Sequence, residues 1–236
     1  ECKRTSIKKS DHIICISENT KKDLQKFYNI DEKKISVIYL GANHILSNQT
    51  MNFKNFTKRQ PYLLYVGSRA KYKNFIFFIE SFSKSKKLMK NFEIVLFGGG
   101  SITGLEKKKL RDLNINENKI KYIGGGDNIL NNLYKNAEAF IFPSLHEGFG
   151  MPILESITNN CPVICSDIKI FKEVGGNLVN FFNPRESESL INCIENVVFA
   201  NKINLNLIEN NKKIIEKYNW EKCYKKTLEV YKSIVN

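Results

Sequence analysis

The sequence predicts an α/β fold, a Rossmann-like doubly wound parallel sheet with helices packed on it. Three observations predict it. Strand-like runs alternate with segments of helical period along most of the 236 residues. Glycine-bearing loops directly follow several of those runs, at the strand ends where open parallel sheets bind ligands. A polar, Asn-rich stretch without clear period, residues 41–60, separates a short leading unit from a longer one.

In chain order, a scrap of helix comes first. Strands at 12–16 and 35–39 then flank a helix at 18–28, which Ser17 can cap. Beyond residue 60, strands are expected at 62–66, 93–97, 120–123, 139–142, 162–166 and 178–182. Helices are expected at 74–88, 105–113, 129–136, 151–158 and 186–199, the first beginning at Asn74 after a basic turn. The stretch from 204 on is helical, and Trp220 begins a final amphipathic helix. The expected division is 1–42, the tail of one domain; 43–60, a linker; 61–216, a complete second domain; and 217–236, a terminal helix. The chain begins at Glu1 without a Met, so its N-terminus reads as a cut. No internal repeat is visible.

Composition narrows the function classes. No apolar run approaches the roughly 18 residues of a membrane-spanning helix, and none resembles a signal peptide. Cys2, Cys15, Cys161, Cys165, Cys193 and Cys223 form no CxxC pair and no zinc spacing, so no metal site is expected and a reduced, cytoplasmic compartment is the simplest reading. Net charge is +13, yet Lys outnumbers Arg 32 to 5. That bias reads as AT-rich codon usage spread over solvated helix faces, with peripheral attraction to anionic lipid as the alternative. Nucleic acid is not expected as a partner, because Phe and Tyr fall on core positions rather than among exposed basic residues.

Four loops carry chemistry. Gly67 to Asn74 follows the strand at 62–66. Gly67 lets the backbone turn there, and Arg69 and Lys73 place two cations at the mouth of the sheet, unless this is an ordinary solvated basic turn. Gly98-Gly99-Gly100 and Gly124-Gly125-Gly126-Asp127 each allow close ligand approach or are merely flexible. Neither matches the dinucleotide or P-loop patterns. The fourth, residues 141–155, is the most specific. It puts Pro152 in a helix's first turn, with Glu147 and Glu155 eight positions apart. Amides around Phe149, Gly150, Met151 and Ile153 then point out of the helix with the positive end of its dipole. Backbone donors beside two carboxylates suit a ligand carrying both phosphate and sugar hydroxyls. Taken singly, Glu155 could be a helix-dipole acid and Glu147 a solvated loop acid.

The segment EGFGMPILES, with seven residues between its two acids, resembles the signature of family 4 retaining glycosyltransferases of the GT-B fold. DHIICISENTKKDL and KISVIYLGAN are similar to the end of that family's N-terminal domain and its crossing into the linker. YLLYVGSRAKYKNF resembles its phosphate-contacting loop, most closely in O-antigen mannosyltransferases. CPVICSDIKIFKEVGG resembles its TPVIAS…PEVxG strand and helix, and NWEKCYKKTLEVY its terminal helix.

The resemblance implies that 61–216 is a donor domain for a nucleotide-diphosphate sugar and that 1–42 is the remnant of an acceptor domain otherwise missing. Residues 217–236 would cross back toward that domain. Arg69 and Lys73, after Gly67 and Ser68, would contact the diphosphate. Glu147 would lie beside the donor sugar. The amides of Gly148, Phe149, Gly150, Met151 and Ile153, around Pro152, would hold sugar hydroxyls and phosphate. Glu155 would accept from the ribose hydroxyls, and backbone near Gly99, Ile123 and Gly124 would border the base. The Arg-to-Lys spacing is one residue shorter than in many members.

The implied reaction is metal-free transfer of a hexose, mannose from GDP-mannose first and UDP-sugars next, to a glycan or lipid-linked acceptor in cell-surface polysaccharide or lipopolysaccharide synthesis. Glu147, Arg69 and Lys73 are its candidate catalytic residues, and no cofactor is expected. A location at the inner membrane face suits the basic surface, and the fragment should bind donor without completing transfer. The rival readings are a non-catalytic donor-binding half of a two-chain transferase and a GT-B-like UDP-sugar epimerase.

Overall fold

The computed structural model describes residues 2–42, 60–199, 213–214 and 216–235. The expected linker therefore lies, except for Gln60, outside the described residues, as does most of the expected helical stretch 204–216. Two parallel sheets organise the remainder. The small one pairs β1 (Ile13–Cys15) with β2 (Ile35–Val37). The large one has six strands in the order β5-β4-β3-β6-β7-β8, built from β3 (Tyr62–Val66), β4 (Glu93–Phe97), β5 (Ile120–Ile123), β6 (Ala139–Phe142), β7 (Val163–Ser166) and β8 (Asn180–Phe182). The chain lays down β3, β4 and β5 outward in one direction, then returns to place β6, β7 and β8 on the other side of β3. The reversal falls between β3 and β6, which is where doubly wound sheets open a crevice for ligands.

Side chains alternate across this sheet with the two-residue period of extended chain. Leu64, Val66, Phe140, Phe142, Val163 and Cys165 face one layer, containing α6 (Asp127–Asn136), α7 (Met151–Thr158) and α8 (Lys169–Gly175). Leu63, Tyr65, Ile94, Leu96, Ile141 and Ile164 face the other, containing α3 (Phe75–Lys84), α4 (Lys86–Asn91), α5 (Gly104–Asp112) and α9 (Ser187–Phe199). Both faces of β3, β6 and β7 are buried. That is why these strands read as continuous apolar runs.

Where the elements depart from expectation, local chemistry explains it. The helix expected over 74–88 is two helices, because Ser85 is extended and caps the second by accepting from the Leu88 amide. The seven-residue α8 is too short for periodicity to reveal, and only the family likeness implied it. Ser17 caps α2 (Glu18–Tyr28) as expected, accepting from the Thr20 amide at 3.0 Å. α1 (Cys2–Lys9) precedes the small sheet, and α10 (Trp220–Val235) ends the chain. Gly41 passes under α10 so closely that a Cβ there would lie 2.3 Å from the Trp220 nitrogen. Cys15, Cys161 and Cys165 are buried free thiols. No helix among the described residues is long and apolar enough to cross a membrane.

Candidate functional site

At the β3–β6 switch point two loops are tied together. The loop after β3 makes a 3-10 turn at Lys71–Lys73, and the Tyr72 carbonyl accepts from the Leu145 amide at 2.8 Å. That bond fixes the loop after β6 against it. Lys73 and Glu147, 74 residues apart in sequence, then meet at 2.6 Å. Both side chains are largely withdrawn from solvent, and the Lys73 ammonium also lies 5.3 Å from the centre of the Phe142 ring. An ammonium has three donors and a carboxylate two oxygens, so each partner keeps bonding capacity for a third group.

The loop from Glu147 into α7 is anchored by its one aromatic. Phe149 is buried against Tyr39 and Tyr218, with ring centroids at 6.2 and 5.7 Å. Gly150 caps α7 in the left-handed region (φ 98°) and contributes no capping side chain, so the helix end is bare. Of the amides expected to point outward, Pro152 has none and that of Ile153 donates to the Gly150 carbonyl at 2.9 Å. Those of Phe149, Gly150 and Met151 have no backbone or side-chain acceptor among the described residues. They are the donors such a site would use, with the helix dipole behind them.

Arg69, expected as a cation at the mouth of the sheet and a diphosphate contact, is engaged by the protein's own groups. Its guanidinium turns along the strand ends into the loop after β4. There Nε donates to Glu106 at 2.6 Å, and the two terminal nitrogens donate to the carbonyls of Gly98, Gly100 and Ser101. Gly99 is pressed against the loop after β3, where a Cβ would lie 2.9 Å from both the Gly67 oxygen and the Ser68 Cα. Gly67 itself is left-handed (φ 116°), and its amide donates to Phe97. The Ser68 carbonyl accepts from the Tyr65 hydroxyl.

Glu155 lies one turn into α7 and accepts from the Tyr134 hydroxyl at 3.1 Å. Burial pushes its pKa up and the Asp127 charge adds to that, against the lowering by Tyr134. Ile123 ends β5 at the edge of the sheet and Gly124 follows it, and no hydrogen bond or ion pair joins them to Lys73 or Glu147. The structure thus brings Lys73 to Glu147 and Arg69 to the Gly99 loop, and leaves Glu155 with Tyr134.

Sequence reasoning passed over four residues. Glu106 carries the T-x-x-E signal of a capping box, which says nothing of Arg69. Tyr134 looks like an ordinary core aromatic. Glu173, on α8, reaches the other sheet's unit and accepts from the amides of Glu18 (2.6 Å) and Asn19 (2.9 Å) at the start of α2. His146 opens onto a recess of about 330 Å³ beside Glu147, which Asn19, Asp23, Asp167 and Ile168 also line. Nothing local in the sequence signals that enclosure. Among the described residues no three His, Cys, Asp or Glu side chains cluster as metal ligands would.

This is the fold of GT-B glycosyltransferases. A glycosyltransferase from Rickettsia africae superposes with a TM-score of 0.80 at 23% identity, covering 96% of this chain and 64% of that one. HepE from Anabaena, solved with UDP and glucose, superposes with a TM-score of 0.80 at 15% identity, covering 95% and 63%. Residues 47–214 match the family of glycosyl transferases group 1, and residues 1–44 match glycosyltransferase family 4. The chain belongs to the glycosyl transferases group 1 family. It is 32% identical over 197 residues to the O-antigen chain mannosyltransferase RfbU of Salmonella typhimurium, covering 82% of this chain. The match spans 53% of RfbU, about half that relative's length.

Proposed function

We propose that these residues hold the nucleotide-diphosphate-sugar donor of a retaining hexosyltransferase, with GDP-mannose the first candidate and UDP-sugars the next. The acceptor would be a glycan or lipid-linked saccharide of a cell-surface polysaccharide, met at the inner face of the cytoplasmic membrane, where a +13 chain is attracted to anionic lipid. Transfer would require the further length that the relatives possess. RfbU is named for O-antigen mannosyl transfer and HepE was solved with UDP and glucose, which supports the class of reaction and of donor.

The observation that carries this reading is the Lys73–Glu147 pair beside the bare end of α7. In the proposed step the bond from the anomeric carbon to the phosphate oxygen breaks, and its electron pair stays on the diphosphate. The acceptor oxygen bonds to that carbon on the same face and releases its proton to the departing phosphate. Lys73 and the free amides face the charge that develops, which is electrostatic stabilisation supplied by the chain itself. Glu147 keeps one oxygen to orient a sugar hydroxyl, and the recess beside it is where an acceptor hydroxyl would approach.

A thermal-shift panel of GDP, UDP, GDP-mannose and UDP-sugars tests the reading, since a ligand that binds only the folded state raises the midpoint. The expected result is a rise with one nucleotide series, sharply diminished in Lys73→Ala and reduced in Glu155→Ala. No rise with any nucleotide sugar would overturn the assignment.

A further inference from the structure

Building on the donor-binding reading above, we propose that Arg69 is a positioning residue. With Glu106 it forms a buried strut that folds the Gly98–Gly100 loop into a wall of the site, and the cation that meets the diphosphate is Lys73.

A guanidinium has five N–H donors. In Arg69 four are committed: Nε to Glu106 Oε1 (2.6 Å), Nη1 to the Gly98 carbonyl (3.4 Å), and Nη2 to the carbonyls of Gly100 (3.0 Å) and Ser101 (2.8 Å). The side chain is only 5% exposed, and its flat head lies 5.9 Å from the centre of the Phe75 ring. The partner is equally committed. Glu106 Oε2 accepts from the Thr103 amide (2.7 Å) and the Thr103 hydroxyl (2.9 Å), so both carboxylate oxygens are engaged. Burial would raise the Glu106 pKa, but the bonds from Arg69 and Thr103 outweigh it and hold the carboxyl below its ordinary value. It is therefore ionised at neutral pH and matches the guanidinium.

The loop needs such a partner. Gly98, Gly99 and Gly100 are all left-handed (φ 78°, 71° and 80°), and they have no side chains with which to hold themselves. Glycine loses more conformational freedom on ordering than any other residue. Arg69 takes three carbonyls from this one turn, a job suited to a rigid planar fork and unsuited to a lysine. With one N–H uncommitted, Arg69 could fork onto a phosphate only by giving up Glu106 or carbonyls of the loop, and releasing Glu106 would leave a mostly buried carboxylate without its cation, which is strongly unfavourable. Lys73 has no such commitment beyond Glu147, and its ammonium retains two donors.

The two roles separate by ligand series. The full chain is titrated with guanosine, GMP and GDP and with uridine, UMP and UDP, following saturation-transfer NMR for the nucleosides and calorimetry for the nucleotides. A strut weakens all three members of a series by the same factor, about tenfold for the loss of an ordered wall, in both Arg69→Ala and Glu106→Ala. Arg69→Lys gives no rescue, and the double variant is no worse than either single one. Lys73→Ala, by contrast, penalises the diphosphate most. A phosphate contact by Arg69 predicts the reverse: a loss that grows with each phosphate, partial rescue by Lys, and tighter diphosphate binding when Glu106→Ala frees the guanidinium. That pattern would overturn the proposal while leaving donor binding intact. If the unaltered chain binds neither series, the donor reading fails and this one with it. Glu106→Gln, which keeps the shape of the pair, serves if an alanine variant does not fold.

Discussion

Two side chains in the crevice carry opposite obligations. Lys73 neutralises Glu147 in a place where neither is well hydrated, so each stabilises the other until a diphosphate competes for the ammonium. Lys73→Met is expected to weaken GDP or UDP by about ten- to a hundredfold, the range for a charged hydrogen bond worth about 1.5–3 kcal/mol, as read by calorimetry. Glu155 is strained in a different way. Its pKa is raised above the ordinary 4.5, with burial the largest cause, so between the two values the native state binds more protons than the unfolded one. Stability therefore falls as pH rises from 4.5 through the native value. Glu155→Gln should remove that slope, raising the thermal midpoint at neutral pH and converging with the unaltered chain below 4.5, while nucleotide binding is weakened. Equal pH profiles would contradict the burial argument. The sequence shows these two acids and their spacing plainly. It cannot show that one is paired with a lysine 74 residues away and the other sits beneath a tyrosine, because both facts depend on how strands order themselves.

At the scale of elements, the site consists of strand ends joined by turns whose backbone only certain residues adopt. Gly99 and Gly100 separate two causes of that demand. Both are left-handed, but a Cβ on Gly99 meets backbone at 2.9 Å while one on Gly100 meets nothing within 4 Å. Gly100→Ala should cost about 1–2 kcal/mol from handedness alone, and Gly99→Ala clearly more; urea unfolding measures both. The start of α2 makes a second element-level test. Glu173→Ala removes the acceptor of two first-turn amides and should cost about 1 kcal/mol, like a lost helix cap. Hydrogen exchange at Glu18 and Asn19 should quicken with it. Long, strongly periodic elements such as α9, and strands buried on both faces such as β3, are legible because their pattern repeats. Short ones escape: α8 is only two turns, and the break at Ser85 inside an expected helix is one hydroxyl's doing.

For the whole molecule, six parallel strands reversing at one point put every expected loop at the same rim of the sheet. That rim is where alternating strands and helices in the sequence point, and the fold class was legible for that reason. The proposed chemistry also sets an expectation for the intact chain. With Lys73 and the α7 amides supplying the charge, dialysis against EDTA should leave diphosphate affinity within about twofold, well under the tenfold of 1.4 kcal/mol. A larger loss would require a metal that the proposal does not include. The leading unit, which already meets the site loop where Phe149 packs on Tyr39, meets it again at one carbonyl. The carbonyl oxygen of Gly148, in the candidate site loop, lies 3.1 Å from the Ser17 hydroxyl and 3.3 Å from that of Thr20, at the very helix start that Glu173 holds. An oxygen shared in this way is a contact through which the seating of α2 and the occupancy of the crevice can act on one another. Any ligand that favours one arrangement of α2 must be favoured by it in return, by the same factor.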